Sequence, residues 1–562
     1  MSNIINYKDT YDNIYKLNIK LSNTFNSLLQ FNTKLLGKYY FIIFRNHIIT
    51  NKYKLSKYAS IIGLFYILNR IRYYYGINSI PQLLLNIPII SGKIKLKLKE
   101  TSMTIEKGFD NNYTNYIELP NNSSSEDNLQ KKIITMTNSS NLIKNKVGGA
   151  IYIDDEKHND KLLKIFKQFS YSNPLHCDIY PQIIQMEIDI INICKKLYKG
   201  TEQCCGNVTY GGTESLLLCC LAYRDYYYDR GIKNPNIIVP ETIHPAVDKA
   251  CHYFNIKLVK IPLYKNSGTI NANNIRNYIN SNTILLIGSA PCYSYGIIDP
   301  LIKMGEIAHK YGIGFHIDCC MGGFLLPFID EFKYINFNLK GVTSISMDIH
   351  KYGYSFKGSS VILYNKFNLK KYQHTINSKW NGGVYATPTI MGTKSGGLIA
   401  CAWASLLYIG KNNFTKYSNE IIYMTNYIKN TCINDTNRAY ITIIGNPILN
   451  IIAFKSNNDS LNIYQVVEQM KTKKWKLSIL QNPPSFHYCI TKNHNIEIIK
   501  EFCNDLNESI DYSINNNNSK LSGTLAFYGG TQNIENNLFI DYAINDYVFL
   551  QSTNKINHIY NL

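Results

Sequence analysis

The sequence predicts an α/β fold: a mainly parallel sheet covered on both faces by helices, followed by a smaller α+β C-terminal domain. Two observations predict it. From about residue 150 onward, short apolar runs rich in β-branched residues alternate with stretches of helical pattern, the signature of parallel strands joined by crossover helices. Beyond about 445 the chain changes to a few strands flanking two helices.

The expected strands of the larger domain are, in order, Asn236–Val239, Lys257–Pro262, Thr283–Gly288, Gly314–Asp318 and Thr343–Ser346. Helical patterns lie between them at Glu214–Arg230, His244–Phe254 and Ile302–Tyr311. In the smaller domain, strands Ile448–Phe454 and Phe486–Thr491 flank helices at 462–471 and 496–511. The division expected is a helical segment over 1–107, a polar Ser/Asn-rich connector over 108–145, the larger domain over 146–445 and the smaller over 446–562. Within the first segment, the run Tyr58–Leu68 is apolar but shorter than the roughly 20 residues a bilayer span needs. It suits a marginal span near 58–70, a helix lying in the interface, or a packed helix. Basic residues on both sides leave its orientation open. The first stretch of the chain is polar, so no cleavable signal peptide is expected.

Composition narrows the function. The formal charge is +20, but lysine is part of a general bias toward Asn, Ile, Lys and Tyr. No zinc-finger spacing, RNP-like string or compact basic helix accompanies the charge, so no nucleic-acid partner is expected. An anionic lipid surface or a phosphorylated substrate accounts for it instead. The 14 cysteines are scattered without a repeated CxxC pair, which argues against a metal centre and against a disulfide framework.

Four features carry chemistry, each at a strand end or helix start. Thr209–Ser215 (TYGGTES) opens a helix; its glycines let an anion approach the backbone, and Gly212 and Thr213 suit a phosphate, although such a turn also serves as a plain cap. His244 follows a strand and can stack on a planar ring or merely cap the next helix. Asp318 ends an apolar strand, so its carboxylate calls for a cation, either a ring nitrogen or a structural lysine or arginine. Lys351 follows a strand with His350 beside it, where desolvation lowers an amine toward nucleophilicity, while an average lysine is solvated and inert.

Phosphate turn, stacking histidine, aspartate and His-Lys, in that order, resemble the pyridoxal-phosphate enzymes of aspartate-aminotransferase type (fold type I). Longer strings narrow the resemblance to the sphingosine-1-phosphate lyase family, a branch of the group II decarboxylase-like enzymes. They include SNPLHCD at 172–178, GGTES at 211–215, HKYGY at 350–354, KGSS at 357–360, GGVYA at 382–386 and NPPSFH at 482–487, reaching weakly to Tyr528-Gly-Gly. The resemblance implies a seven-stranded-type sheet, a homodimer with shared active sites, and attachment to the endoplasmic reticulum membrane with the catalytic domain in the cytosol. It also implies cleavage of phosphorylated long-chain bases between C2 and C3, to phosphoethanolamine and a long-chain aldehyde.

Carried over by motif, Lys351 anchors the cofactor, Asp318 holds its ring nitrogen, His244 stacks on it, and Gly212 and Thr213 take its phosphate, with His350 beside them. Lys357 is the candidate base, and Tyr293 is a further catalytic candidate. Tyr152, His176, Lys357 and Tyr385 line the substrate, Tyr152 and His176 facing its phosphate. Thr393, in Gly392-Thr-Lys-Ser-Gly-Gly397, would reach the partner's cofactor phosphate; Lys394 stands where the family has arginine, and Ile349 where it has threonine. Two other readings compete: an amino-acid decarboxylase on the same scaffold, which would need a carboxylate clamp, and a silent membrane scaffold, which would lack Lys351 or Asp318.

Overall fold

The computed structural model describes residues 119–138, 142–264, 267–516 and 548. The expectations for the 1–107 segment, the run at 58–70 and the string at 528 lie outside the described residues.

A seven-stranded sheet runs in the order β1-β7-β6-β5-β4-β2-β3. Its strands are β1 (Cys205–Thr209), β2 (Asn236–Pro240), β3 (Lys257–Ile261), β4 (Thr283–Ser289), β5 (Gly314–Cys319), β6 (Ser344–Met347) and β7 (Ser360–Tyr364). Every pair from β3 to β6 is parallel, whereas β7 runs antiparallel to both β6 and β1. All seven positions of β4 are buried, as a continuous apolar run demands of a strand covered on both faces. The edge strand β3 is mostly wet. Helix Gly212–Tyr228 packs against β1, β4, β5, β6 and β7, and Leu301–Tyr311 against β4 and β5. The Cys219-Cys220 doublet is buried on the first of these, and all 14 cysteines are free thiols, Cys177, Cys205 and Cys320 alone being other than buried. They are small core hydrophobes, with no disulfide among them.

A short hairpin, β8 (Thr375–Asn377) with β9 (Tyr385–Thr387), precedes a long helix, Gly396–Thr431, broken at Gly410 (φ 65°). Next comes a four-stranded antiparallel sheet in the order β10-β11-β13-β12, made of β10 (Ile441–Ile443), β11 (Ile451–Ser456), β12 (Ser478–Leu480) and β13 (Ser485–Cys489). Helices Ile463–Thr472 and Ile496–Asn515 accompany it. The rings of Tyr488 and Phe502 stack at 4.2 Å against Trp475, each such burial being worth about 1.5–3 kcal/mol.

Three differences from the sequence expectation stand out. The stretch read as a polar connector holds an exposed helix, Glu126–Asn138. The helix expected from Glu214 begins at Gly212, and the one expected from His244 begins at Ala246. Strands β1 and β7 are not among the expected ones. Among the described residues, no helix is long and apolar enough to cross a membrane.

What positions the site is the edge of the large sheet where β1, β4, β5 and β6 end and antiparallel β7 begins. Thr209 there faces Ser360, Met347 faces Val361, and Asp318 faces both Ser289 and Ser346. Ligands of open α/β sheets bind at that edge.

Candidate active site

Leaving β6, the chain turns through Asp348, Ile349, His350 and Lys351. Asp348 is 2% exposed, and its Oδ2 lies 2.9 Å from the Lys351 Nζ and 3.6 Å from the His350 Nε2. Its Oδ1 accepts from the Ser360 hydroxyl at 2.6 Å. Behind Ser360 the hydroxyls of Ser215 and Thr209 continue the chain at 3.0 and 2.7 Å. Burial pushes the Asp348 carboxyl up, but Lys351, His350 and Ser360 outweigh it and hold it below the ordinary carboxylate value. Burial pulls Lys351 down, yet Asp348 and then Cys320 raise it well above an ordinary lysine. The expectation that desolvation alone would lower Lys351 is therefore corrected: a buried counter-charge 2.9 Å away decides its protonation. The Ser359 N–H donates to His350 Nδ1 at 3.3 Å, so the neutral ring carries its proton on Nε2, toward Asp348. Ile349 is fully buried in the main core.

Lys351 and His350 line a cavity of about 450 Å³ together with Gly211, Gly212, Thr213 and His244. Gly211 adopts φ 145°, which presents the first N–H groups of helix Gly212–Tyr228 to the cavity. A Cβ on Gly212 would stand 2.7 Å from Cys320 Sγ and 3.0 Å from Asp348 Oδ1, so the hollow exists because that residue has no side chain. His244 Nδ1 accepts the Ala246 N–H at 3.1 Å, so it caps its helix and lines the cavity at once.

Asp318 is 5% exposed, and its Oδ1 accepts the Cys320 N–H at 2.9 Å. No cationic side chain pairs with it among the described residues. His316, two residues earlier on β5, bonds Ser344 at 2.8 Å and Ser346 at 3.0 Å, and burial lowers it to about 4, so it is neutral.

On the far side of Lys351 stands Tyr152, edge-on to Tyr352 at 5.0 Å, with the Lys357 ammonium 4.5 Å above its ring. Burial, then the Lys351 charge, holds Lys357 below an ordinary lysine. Burial, then Cys489, raises the Tyr152 phenol, which keeps its proton. Tyr293 is 45% exposed, and its hydroxyl lies 3.4 Å from Ser478 Oγ.

His176, Thr393 and Tyr385 are not gathered with these groups. His176 is exposed on the turn that begins at Asn173. The Asn173 amide donates to the exposed Thr393 hydroxyl at 3.4 Å, which brings the two loops side by side. Tyr385 lies on β9, its ring 6.2 Å from Trp380. Lys394 turns inward, 6% exposed, and pairs with Glu187 at 2.8 Å, so its ammonium is not presented with Thr393.

Asp348 is the residue that sequence reasoning missed. The signal was available: a carboxylate at the end of a buried strand, the argument applied to Asp318. Glu214 was missed as well; its carboxylate takes the N–H groups of Tyr210, Ile390 and Met391 and ties the glycine turn to the 388–391 segment.

Comparison with known proteins adds identity to this geometry. Residues 171–457 match the family model described as the pyridoxal-dependent decarboxylase conserved domain. The chain is 40% identical over 393 residues to sphingosine-1-phosphate lyase 1 of Rattus norvegicus, covering 69% of this chain and 68% of that one. It is 32% identical over 513 residues to sphingosine-1-phosphate lyase of Saccharomyces cerevisiae, covering 88% and 85%. The solved sphingosine-1-phosphate lyase of Burkholderia pseudomallei superposes with a TM-score of 0.68 at 29% identity, over 75% of this chain and 97% of that one. Glutamate decarboxylase of Lactobacillus brevis, at TM-score 0.62 and 18% identity over 73% and 96%, shares the fold.

Proposed function

This chain belongs to the sphingosine-1-phosphate lyase family, and we propose from that premise that it cleaves phosphorylated long-chain bases between C2 and C3. The products are phosphoethanolamine and a long-chain aldehyde.

It is a pyridoxal-phosphate enzyme, and the residues present fit that cofactor. The hollow at Gly212 leaves room for an anion, and the buried Asp318 carboxylate has no side-chain cation among the described residues, as a protonated ring nitrogen requires. Gly212 and Thr213 would hold the phosphate, His244 would lie against the ring, Asp318 would pair with its nitrogen, and Lys351 would be its anchor, with His350 and Asp348 setting the protonation of Lys351. Bound there, pyridoxal phosphate supplies the electron sink for the charge left at C2 when the C2–C3 bond breaks.

Around it, Lys357 Nζ takes the proton from the C3 hydroxyl, and a proton returned to C2 after the bond breaks completes phosphoethanolamine. Tyr152, still protonated, donates to the substrate phosphate, and Tyr293 borders the substrate. His176, Tyr385 and Thr393, which lie away from these groups, serve the site of a second copy, His176 at its substrate phosphate and Thr393 at its cofactor phosphate. The observation that carries this reading is the lysine pair beside Tyr152, with Lys351 held above and Lys357 below the ordinary lysine value. Held below the ordinary lysine value, Lys357 is the one suited to act as base, while Lys351 serves as the cofactor's anchor.

The test is incubation of the purified protein with sphingosine 1-phosphate and, separately, with common amino acids. Long-chain aldehyde is expected; carbon dioxide without aldehyde would reject the lyase in favour of a decarboxylase. The silent-scaffold reading has no support, since Lys351 and Asp318 are both in place.

Homodimerisation belongs to the same proposal. It is supported by the large exposed apolar side chains Ile376, Trp380 and Val384 on the hairpin, with Ile390 and Met391 just before Thr393. Attachment to the endoplasmic reticulum membrane through the segment near 58–70 is likewise proposed, and resistance of the bound protein to alkaline carbonate would show a span.

A further inference from the structure

We propose that His487 is a positioning residue: from the small sheet it fixes the loop that carries Tyr293, and through Tyr293 it acts on the lyase reaction. The inference rests on the reading above in which Tyr293 borders the substrate.

Ser478 and His487 are register partners of β12 and β13. The Tyr293 side chain lies across that pair, its hydroxyl 3.4 Å from Ser478 Oγ and its ring edge-on to the His487 imidazole at 4.8 Å. The next residue is tied as well, since His487 Nδ1 lies 3.0 Å from the Ser294 carbonyl oxygen. One residue further, the Tyr295 hydroxyl donates to the Asn482 carbonyl at 3.1 Å. The base of the loop is pinned separately. Asp299 accepts the Ser289 N–H at 2.8 Å and the Thr269 hydroxyl at 2.7 Å, which holds the loop's return to the end of β4.

The tautomer of His487 follows from its partner. A carbonyl oxygen only accepts, so Nδ1 carries the hydrogen and Nε2 is a bare acceptor. That Nε2 is buried and has no hydrogen-bond partner among the described residues. Burial lowers the ring to about 4, so it is neutral and makes one donated bond, the one to the Tyr293 loop. A buried acceptor left unmade is unfavourable, and a phenylalanine would fill the same space without it. What the imidazole adds over that ring is the grip on Ser294.

The experiment uses the full-length, cofactor-loaded protein with His487→Phe, His487→Gln, Tyr293→Ala and the double variant His487→Phe/Tyr293→Ala. His487→Phe is expected to keep the cofactor's visible absorbance and the wild-type melting temperature while kcat/KM for sphingosine 1-phosphate falls roughly tenfold or more, because misplacing a substrate contact is costly. His487→Gln, whose amide can donate to the Ser294 carbonyl, recovers about threefold or more of that loss. In the Tyr293→Ala background His487→Phe adds no further loss. Hydrogen exchange of amides 290–298 accelerates in His487→Phe. Wild-type kinetics in His487→Phe, or an equal loss in both backgrounds, overturns the proposal. If the wild-type protein releases no aldehyde, the lyase reading fails by itself. The exchange measurement then decides the grip alone, and unchanged exchange at 290–298 overturns it.

Discussion

Replacing Asp348 by asparagine removes the charge that governs Lys351 while keeping the shape of the turn. At 2.9 Å, two unit charges in an effective dielectric of about 20 attract by about 6 kcal/mol. Lys351 keeps 20% of its side-chain surface exposed, and Asp348 is shared with His350 and Ser360. We therefore expect about half of that, about 3 kcal/mol or roughly two pKa units, to be lost. The sign is downward, because Asp348 is the largest of the groups that raise Lys351 against its burial. The assay is cofactor addition: stripped protein is mixed with pyridoxal phosphate across a pH series, and the visible absorbance is followed in time. Attack on the aldehyde needs the neutral amine, so the pH midpoint of the rate should fall by about two units in Asp348→Asn. An unchanged midpoint would refute the claim that Asp348 sets the protonation of Lys351. Denaturation of the stripped proteins gives a second readout. The depressed Asp348 contributes stability above the ordinary carboxylate range, lost as pH falls through its lower folded value; the raised Lys351 contributes below the ordinary lysine value, lost as pH rises through its higher one. The gap between wild type and Asp348→Asn should therefore be widest between those limits and close in acid.

Lys357→Gln should keep the cofactor's absorbance and lower kcat by about 10²–10⁴. Because the base works deprotonated and its pKa is depressed, the wild-type kcat should rise with pH through a midpoint below that of an ordinary lysine, and the variant should lack that limb. Gly212→Ala places a methyl 2.7 Å from Cys320 Sγ; overpacking of about 1–3 kcal/mol should weaken cofactor affinity by roughly tenfold or more, read by titrating stripped protein. Trp380→Ser with Val384→Ser removes exposed apolar surface from the hairpin. Light scattering should show the dimer dissociating at higher concentration than wild type, and an unchanged dissociation constant would move the interface elsewhere.

Strands β2, β4, β5 and β6 were legible because burial on both faces leaves an apolar β-branched run that local reading detects, and β3, mostly wet, by its own short run Leu258-Val-Lys-Ile261. Helix starts were displaced by two residues because capping by Gly211 and Pro245 depends on backbone geometry rather than on pattern. Strand β1 escaped because its partner lies far along the chain, Thr209 opposite Ser360. In the site, Lys351, Asp318, His244 and Gly212 were identifiable by residue type and order at strand ends. Asp348 passed as one more carboxylate until its burial and its 2.9 Å distance to Lys351 were visible.

Lys351 as the candidate anchor, the order of groups around it and the α/β class were determined by the chain itself, since strand periodicity and residue chemistry are local properties. The tertiary structure decided the charge state of Lys351, the inward turn of Lys394 onto Glu187, and the meeting of Tyr293 with His487 across almost two hundred residues. Those are matters of distance and burial, and a field that falls off over a few ångströms is set only when the fold brings its sources together.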